Sequence, residues 1–121
     1  MRFMMLLELD PSKAPSQGPS EELMDEMGKL IEEMTKAGVL LDTGGLKPVG
    51  EGTYIRQSGG KQTVVDGPFT EAKEVIGGYC IVQAKSQEEA VEWASRFLAI
   101  HGPEWEIASS IRQIEEPEPE Q

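Results

Sequence analysis

The residues best suited to chemistry stand together between Asp66 and Tyr79, in the order Asp-Gly-Pro-Phe-Thr-Glu-Ala-Lys-Glu-Val-Ile-Gly-Gly-Tyr. Three carboxylates, Lys73 and two aromatic rings share one connection between two expected strands. An aspartate that ends a strand normally locks the turn by accepting from the N–H two residues on. Here that residue is Pro68, which has no N–H. The Asp66 carboxylate must therefore reach Phe69 or Thr70, find another partner, or stay free. A free carboxyl beside an apolar wall has its pKa raised toward neutrality and can serve as general acid or base. Asp66 is then the catalytic candidate, Phe69 and Tyr79 wall a pocket, and Lys73 or Arg56 holds an anionic group of the substrate. Alternatively the stretch is a rigid connection in which Asp66 locks the turn and the charges are solvated.

Few other residues offer chemistry. His101, the one histidine, precedes the helix-ending pair Gly102-Pro103 and is expected on an exposed loop. Cys80, the one cysteine, sits in the apolar run Tyr79-Cys80-Ile81-Val82 and reads as a small buried hydrophobe. A single Cys and a single His, with no compact carboxylate cluster, give zinc little to bind. Neither a metal nor another cofactor is expected. There is no glycine fingerprint for phosphate and no nucleophile elbow.

Composition narrows the partners. With 22 acidic and 11 basic residues the net charge is −11, and no basic cluster could serve a phosphate backbone or an anionic membrane. The apolar start, Met1 to Leu7, meets Glu8 and Asp10 too soon for a signal segment. One thiol without a disulfide framework suits a reducing compartment, so a cytoplasmic protein is expected.

The elements that must position Asp66 follow from periodicity. Arg2 to Leu9 reads as a strand apolar on both faces, hence central. Asp10 to Pro19 is a loop. Ser20 opens a helix whose stripe is Leu23, Met24, Met27, Leu30, Ile31, Met34 and Ala37, and Gly38 stands at its left-handed cap. Val39 to Leu41 is a short strand ended by Gly44-Gly45. Gly52 to Gln57 and Gln62 to Val65 form a hairpin across Ser58 to Lys61. Thr70 caps a single turn, Glu71 to Val75, which Gly77-Gly78 terminates. Gly77 to Ala84 is a buried strand. Ser86 caps a second helix with Ala90, Val91, Ala94, Phe97 and Leu98 on its apolar face, and Ile107 to Ile114 closes the set. Residues 1–115 make one domain, and 116–121 an acidic, proline-containing flexible tail. The order βαββαβ with an inserted β-hairpin is an α+β, ferredoxin-like fold. Its helices cover one sheet face, and the doubly apolar first strand asks for a cover on the other. A homodimer supplies it.

The motif Asp66-Gly67-Pro68-Phe69, followed by Glu71, Lys73-Glu74 and Gly77-Gly78-Tyr79, resembles the YCII-related family, in the branch bearing that Asp-Gly-Pro-Phe (DGPF) signature. Ala37 to Leu40, Glu89-Ala90 with Trp93-Ala94, and Ile111 to Ile114 extend the likeness over most of the chain. The resemblance implies a ferredoxin-like protomer that dimerises into an α/β barrel. It implies two functions: small-molecule enzymes working through a His/Asp pair, including a dehydrochlorinase, or modules associated with sigma factors of the extracytoplasmic-function type. The first helix, where enzyme-like members carry a histidine, has none, which leaves Asp66 as the candidate carried over. Two expectations result. One is a homodimer binding a small organic molecule near Asp66 to Lys73, with proton-transfer or lyase-type chemistry. The other is a non-catalytic interaction or regulatory module acting on sigma-factor-dependent transcription without touching DNA.

Overall fold

The computed structural model describes residues 1–66 and 75–116. Its elements are β1 (Arg2–Leu9), α1 (Glu21–Lys36), β2 (Leu40–Gly45), β3 (Thr53–Ser58), β4 (Lys61–Asp66), β5 (Val75–Gln83), α2 (Gln87–Ile100) and β6 (Ile107–Gln113). A four-stranded antiparallel sheet runs β2-β5-β1-β6, and β3 pairs with β4 in a separate two-stranded sheet. Two helices with antiparallel strands make an α+β fold, compatible with a ferredoxin-like arrangement. β1 is central, as its two apolar faces require.

Side chains alternate along a strand, so one face of β1 carries Phe3, Met5, Leu7 and Leu9. Phe3 and Met5 are buried against α1 and α2, with Val82, Leu30, Met34, Ala90 and Ala94 in the same core. Each helix begins where a serine can satisfy its free N–H groups: Ser20 Oγ accepts from Leu23 N at 3.1 Å, and Ser86 Oγ from Glu89 N at 3.2 Å. α1 ends in a left-handed glycine, Gly38 at φ 73°. Gly38 N donates to Thr35 O at 3.1 Å and Val39 N to Met34 O at 2.9 Å, the paired bonds of a Schellman cap. That cap reverses the chain directly into β2.

Four details differ from the sequence reading. β2 does not stop at Leu41 but continues through Gly44 and Gly45, which pair with Tyr79 and Gly78. The glycines permit close approach of two strands: a Cβ at Gly44 would lie 2.8 Å from the Tyr79 ring, and one at Gly78 only 3.0 Å from Gly44 O. β5 starts two residues earlier than the Gly77 read from sequence, so Gly77-Gly78 lies inside the strand and not at its beginning. Val75 belongs to β5, whereas the rest of the expected turn at residues 71–74 lies outside the described residues. Met24 and Val91, read as core positions, are 60 % and 45 % exposed, because each sits at the margin of its helix's apolar stripe.

The β3–β4 ribbon turns at Gly59-Gly60, with φ of 57° and 79°, the left-handed pair a two-residue hairpin turn demands. Among the described residues no helix is long and apolar enough to cross a membrane.

Candidate functional site

A cavity of about 400 Å³ lies between the helices and the inner face of the sheet. Register explains why it is hollow. Toward one end of the sheet, inner positions pair as Leu7 with Gly78 and Ser109, and Gly78 with Gly45. Glycine and serine cannot fill the space under a helix layer, whereas Phe3 and Val82 fill the other end completely. Met5, Leu7 and Cys80 form the floor, with Met27 and Ile31 of α1 and Phe97 of α2 opposite. Met24 and Pro19 also border the space.

His101 lines this cavity, and its placement corrects the sequence reading. It is not an exposed loop residue but is 8 % exposed, the sole buried polar side chain among the described residues. The cause is helical register: Ala90, Ala94, Phe97 and His101 follow at steps of four, three and four, so His101 continues the buried stripe of α2. Gly102, at φ 85°, then turns the chain, and Trp105 comes back against the imidazole with ring centroids 5.7 Å apart. Phe97 holds the ring from another side at 5.3 Å. His101 Nδ1 is 3.0 Å from the Phe97 carbonyl oxygen. A carbonyl can only accept, so Nδ1 carries the hydrogen and, in the neutral ring, Nε2 carries the lone pair. An imidazole so fixed can take a proton at Nε2 or accept a hydrogen bond there.

Cys80 is buried, and burial pushes its thiol up, against a smaller opposing effect of a hydrogen bond with Thr43. Thr43 Oγ1 also donates to Tyr79 O at 3.1 Å. Such a thiol is protonated and unreactive near neutrality.

Of the residues singled out by sequence, Tyr79 borders the cavity, but alternation along β5 turns its ring to the opposite face of the sheet, against Gly44. Arg56 is not brought there: it lies exposed on β3 of the separate ribbon, its guanidinium 5.8 Å from the Tyr54 ring centre. Asp66 closes β4 opposite Thr53. Its side chain, with Phe69 and Lys73, lies outside the described residues. No Asp, Glu, Lys or Arg lines the cavity among the described residues. Nor do any three His, Cys, Asp or Glu among them gather as a metal would require.

The sequence has known relatives. The YCII-related domain matches residues 1–105. The chain belongs to the YCII-related family. It is similar to an uncharacterized protein of Rhizobium meliloti (strain 1021), 30 % identical over 83 residues that cover 69 % of this chain and 67 % of that protein. The YCII-related match runs from β1 through α2 and so includes every cavity-lining residue except Ser109.

Proposed function

We propose that this YCII-related protein is a cytoplasmic homodimer that binds a small organic molecule beneath α1 and α2 and catalyses proton transfer or a lyase-type elimination on it. One observation carries this: a predominantly apolar hollow with a single buried imidazole, His101, whose tautomer is fixed by Phe97 O. The volume, about 400 Å³, suits a small ligand. His101 Nε2 is the base that takes a proton from the bound molecule; in a lyase-type step the electrons which that proton leaves behind form the new double bond as the leaving group departs with its pair. The imidazole that α1 lacks is thereby supplied from α2. Asp66 is its proposed partner acid. The connection that leaves β4 at Asp66 re-enters the described chain at Val75, two residues before the cavity wall at Gly77. The DGPF signature at Asp66 to Phe69 favours the same assignment. In this scheme β3 and β4 are an inserted hairpin in a ferredoxin-like protomer.

A screen of small neutral compounds by ligand-observed NMR tests the proposal. Binders are then followed in D2O for deuterium uptake or loss of a leaving group. Met27→Trp, which fills the cavity from a half-buried position, is expected to abolish binding with unchanged circular dichroism. Binding that persists in Met27→Trp would remove the cavity from consideration. Binding without exchange or elimination in any compound would remove the chemistry.

A non-catalytic module affecting sigma-factor-dependent transcription is favoured by a different observation. The ribbon exposes Tyr54, Ile55, Val64 and Val65, each 46–60 % accessible, where a binding surface would be expected.

A further inference from the structure

The wall of the cavity limits what can enter it. Among the described residues its polar side chains are Thr43, Ser109, Cys80 and His101, and none is a carboxylate, ammonium or guanidinium. Against these described residues an anion or cation would give up its hydration with no counter-charge in return. Arg56, one of the cations that sequence offers for an anionic group, lies on the ribbon and not on this wall.

The imidazole sets a second condition. Nδ1 is occupied by Phe97 O, which leaves Nε2 as an acceptor in the neutral ring. Nε2 has no hydrogen-bond partner among the described residues, yet none of their buried side-chain nitrogens or oxygens is both sealed and unpaired. Nε2 therefore retains accessible surface on a side chain that is more than nine-tenths buried. A ligand that covers it without donating would strand a polar atom, and a ligand that donates would not.

We infer that the ligand is an uncharged, mainly apolar molecule that presents one O–H or N–H donor to His101 Nε2. This rests on the binding proposed for the same cavity.

Three probes separate the two ideas: indole, its donor-free isostere indene, and the anion indole-2-carboxylate, each titrated calorimetrically into the full chain. Indole is expected to bind at least about tenfold more tightly than either other probe, the size expected for one buried hydrogen bond. The 15N resonance of His101 Nε2 in the wild-type protein should move with indole and stay in place with indene. His101→Phe keeps a ring in the slot and should bind indole and indene alike. Equal affinities for indole and indene in the wild type, with Nε2 unmoved, would overturn the donor requirement and leave the cavity intact as a site. Tightest binding by the carboxylate would overturn the requirement for neutrality. If none of the three binds, the cavity itself is lost as a binding site. Should His101→Phe fail to fold, the wild-type affinities and the Nε2 resonance decide the matter.

Discussion

Two kinds of residue make the site: one buried imidazole and several residues too small to fill the space beside it. Gly78 shows how closely the second kind is constrained. A Cβ there would sit 3.0 Å from the Gly44 carbonyl, and that oxygen belongs to a strand already paired to β5. Gly78→Ala is expected to cost about 1–2 kcal/mol, as overpacking against backbone does. Gly77→Ala meets only the tip of Leu9, a side chain that can swing away, and should cost less. Urea unfolding midpoints of the two variants check the order; equal midpoints would mean that β2 yields freely. The hollow itself is not legible in sequence, because it arises from glycines and a serine on three different strands meeting in register. His101 is legible in hindsight. It continues the stripe Ala90, Ala94, Phe97, yet the neighbouring Gly102-Pro103 signals a loop more loudly than a four-residue spacing signals burial. Asp66 drew attention for sound reasons of turn chemistry, but its side chain and the rest of its motif lie outside the described residues.

The elements around the site are held by few polar ties, and one joins the two helices that roof it. Glu33 of α1 accepts both guanidinium nitrogens of Arg96 of α2, the second at 2.9 Å, and the Arg96 guanidinium also lies 5.0 Å from the Trp93 ring centre. The hydrogen bond from Arg96 holds the Glu33 carboxyl below the ordinary carboxylate value of 4.5. A depressed carboxyl stabilises the folded state above its unfolded pKa, and that contribution is lost as pH falls through the lower folded value. Glu33→Gln should therefore lower the melting temperature slightly at pH 7 and leave it unchanged at strongly acid pH. Added salt should shrink the difference, since the pair is exposed. A gap between the two proteins that persists undiminished in acid would assign the effect to packing instead. At this scale most of the fold is legible. Serines at both helix starts, Gly38 after α1 and the Gly59-Gly60 turn each act through their own local chemistry. Strand ends at Gly44-Gly45 and Gly77-Gly78 are not, since a glycine that ends a strand and one that lets two strands touch look alike in one dimension.

At the scale of the molecule the unanswered demand is the second face of the sheet. Pairing puts Met4, Leu6, Tyr79 and Ile81 on the side away from the helices, with Ile76 44 % exposed beside Glu8. Few soluble proteins leave such a face to water, and a second copy of the same sheet covers it with matching chemistry. Four strands about 4.8 Å apart and about seven residues long at 3.3 Å each span roughly 450 Å² in projection. A stable interface takes about 800 Å² from each partner. Exposed apolar residues beside the sheet can add to that face, and the ribbon residues Ile55 and Val64 are one source. Sedimentation equilibrium at micromolar concentration should give twice the 13.3 kDa of one chain. Leu6→Asp should give the single-chain mass with helix content intact, and Ile55→Lys should weaken association less severely. A wild-type protein that sediments at the mass of one chain would mean that the outer face is covered by something other than its own kind. A dimer that ignores Ile55→Lys would free the ribbon for a different partner, and the interaction-module function would then gain what the dimer loses.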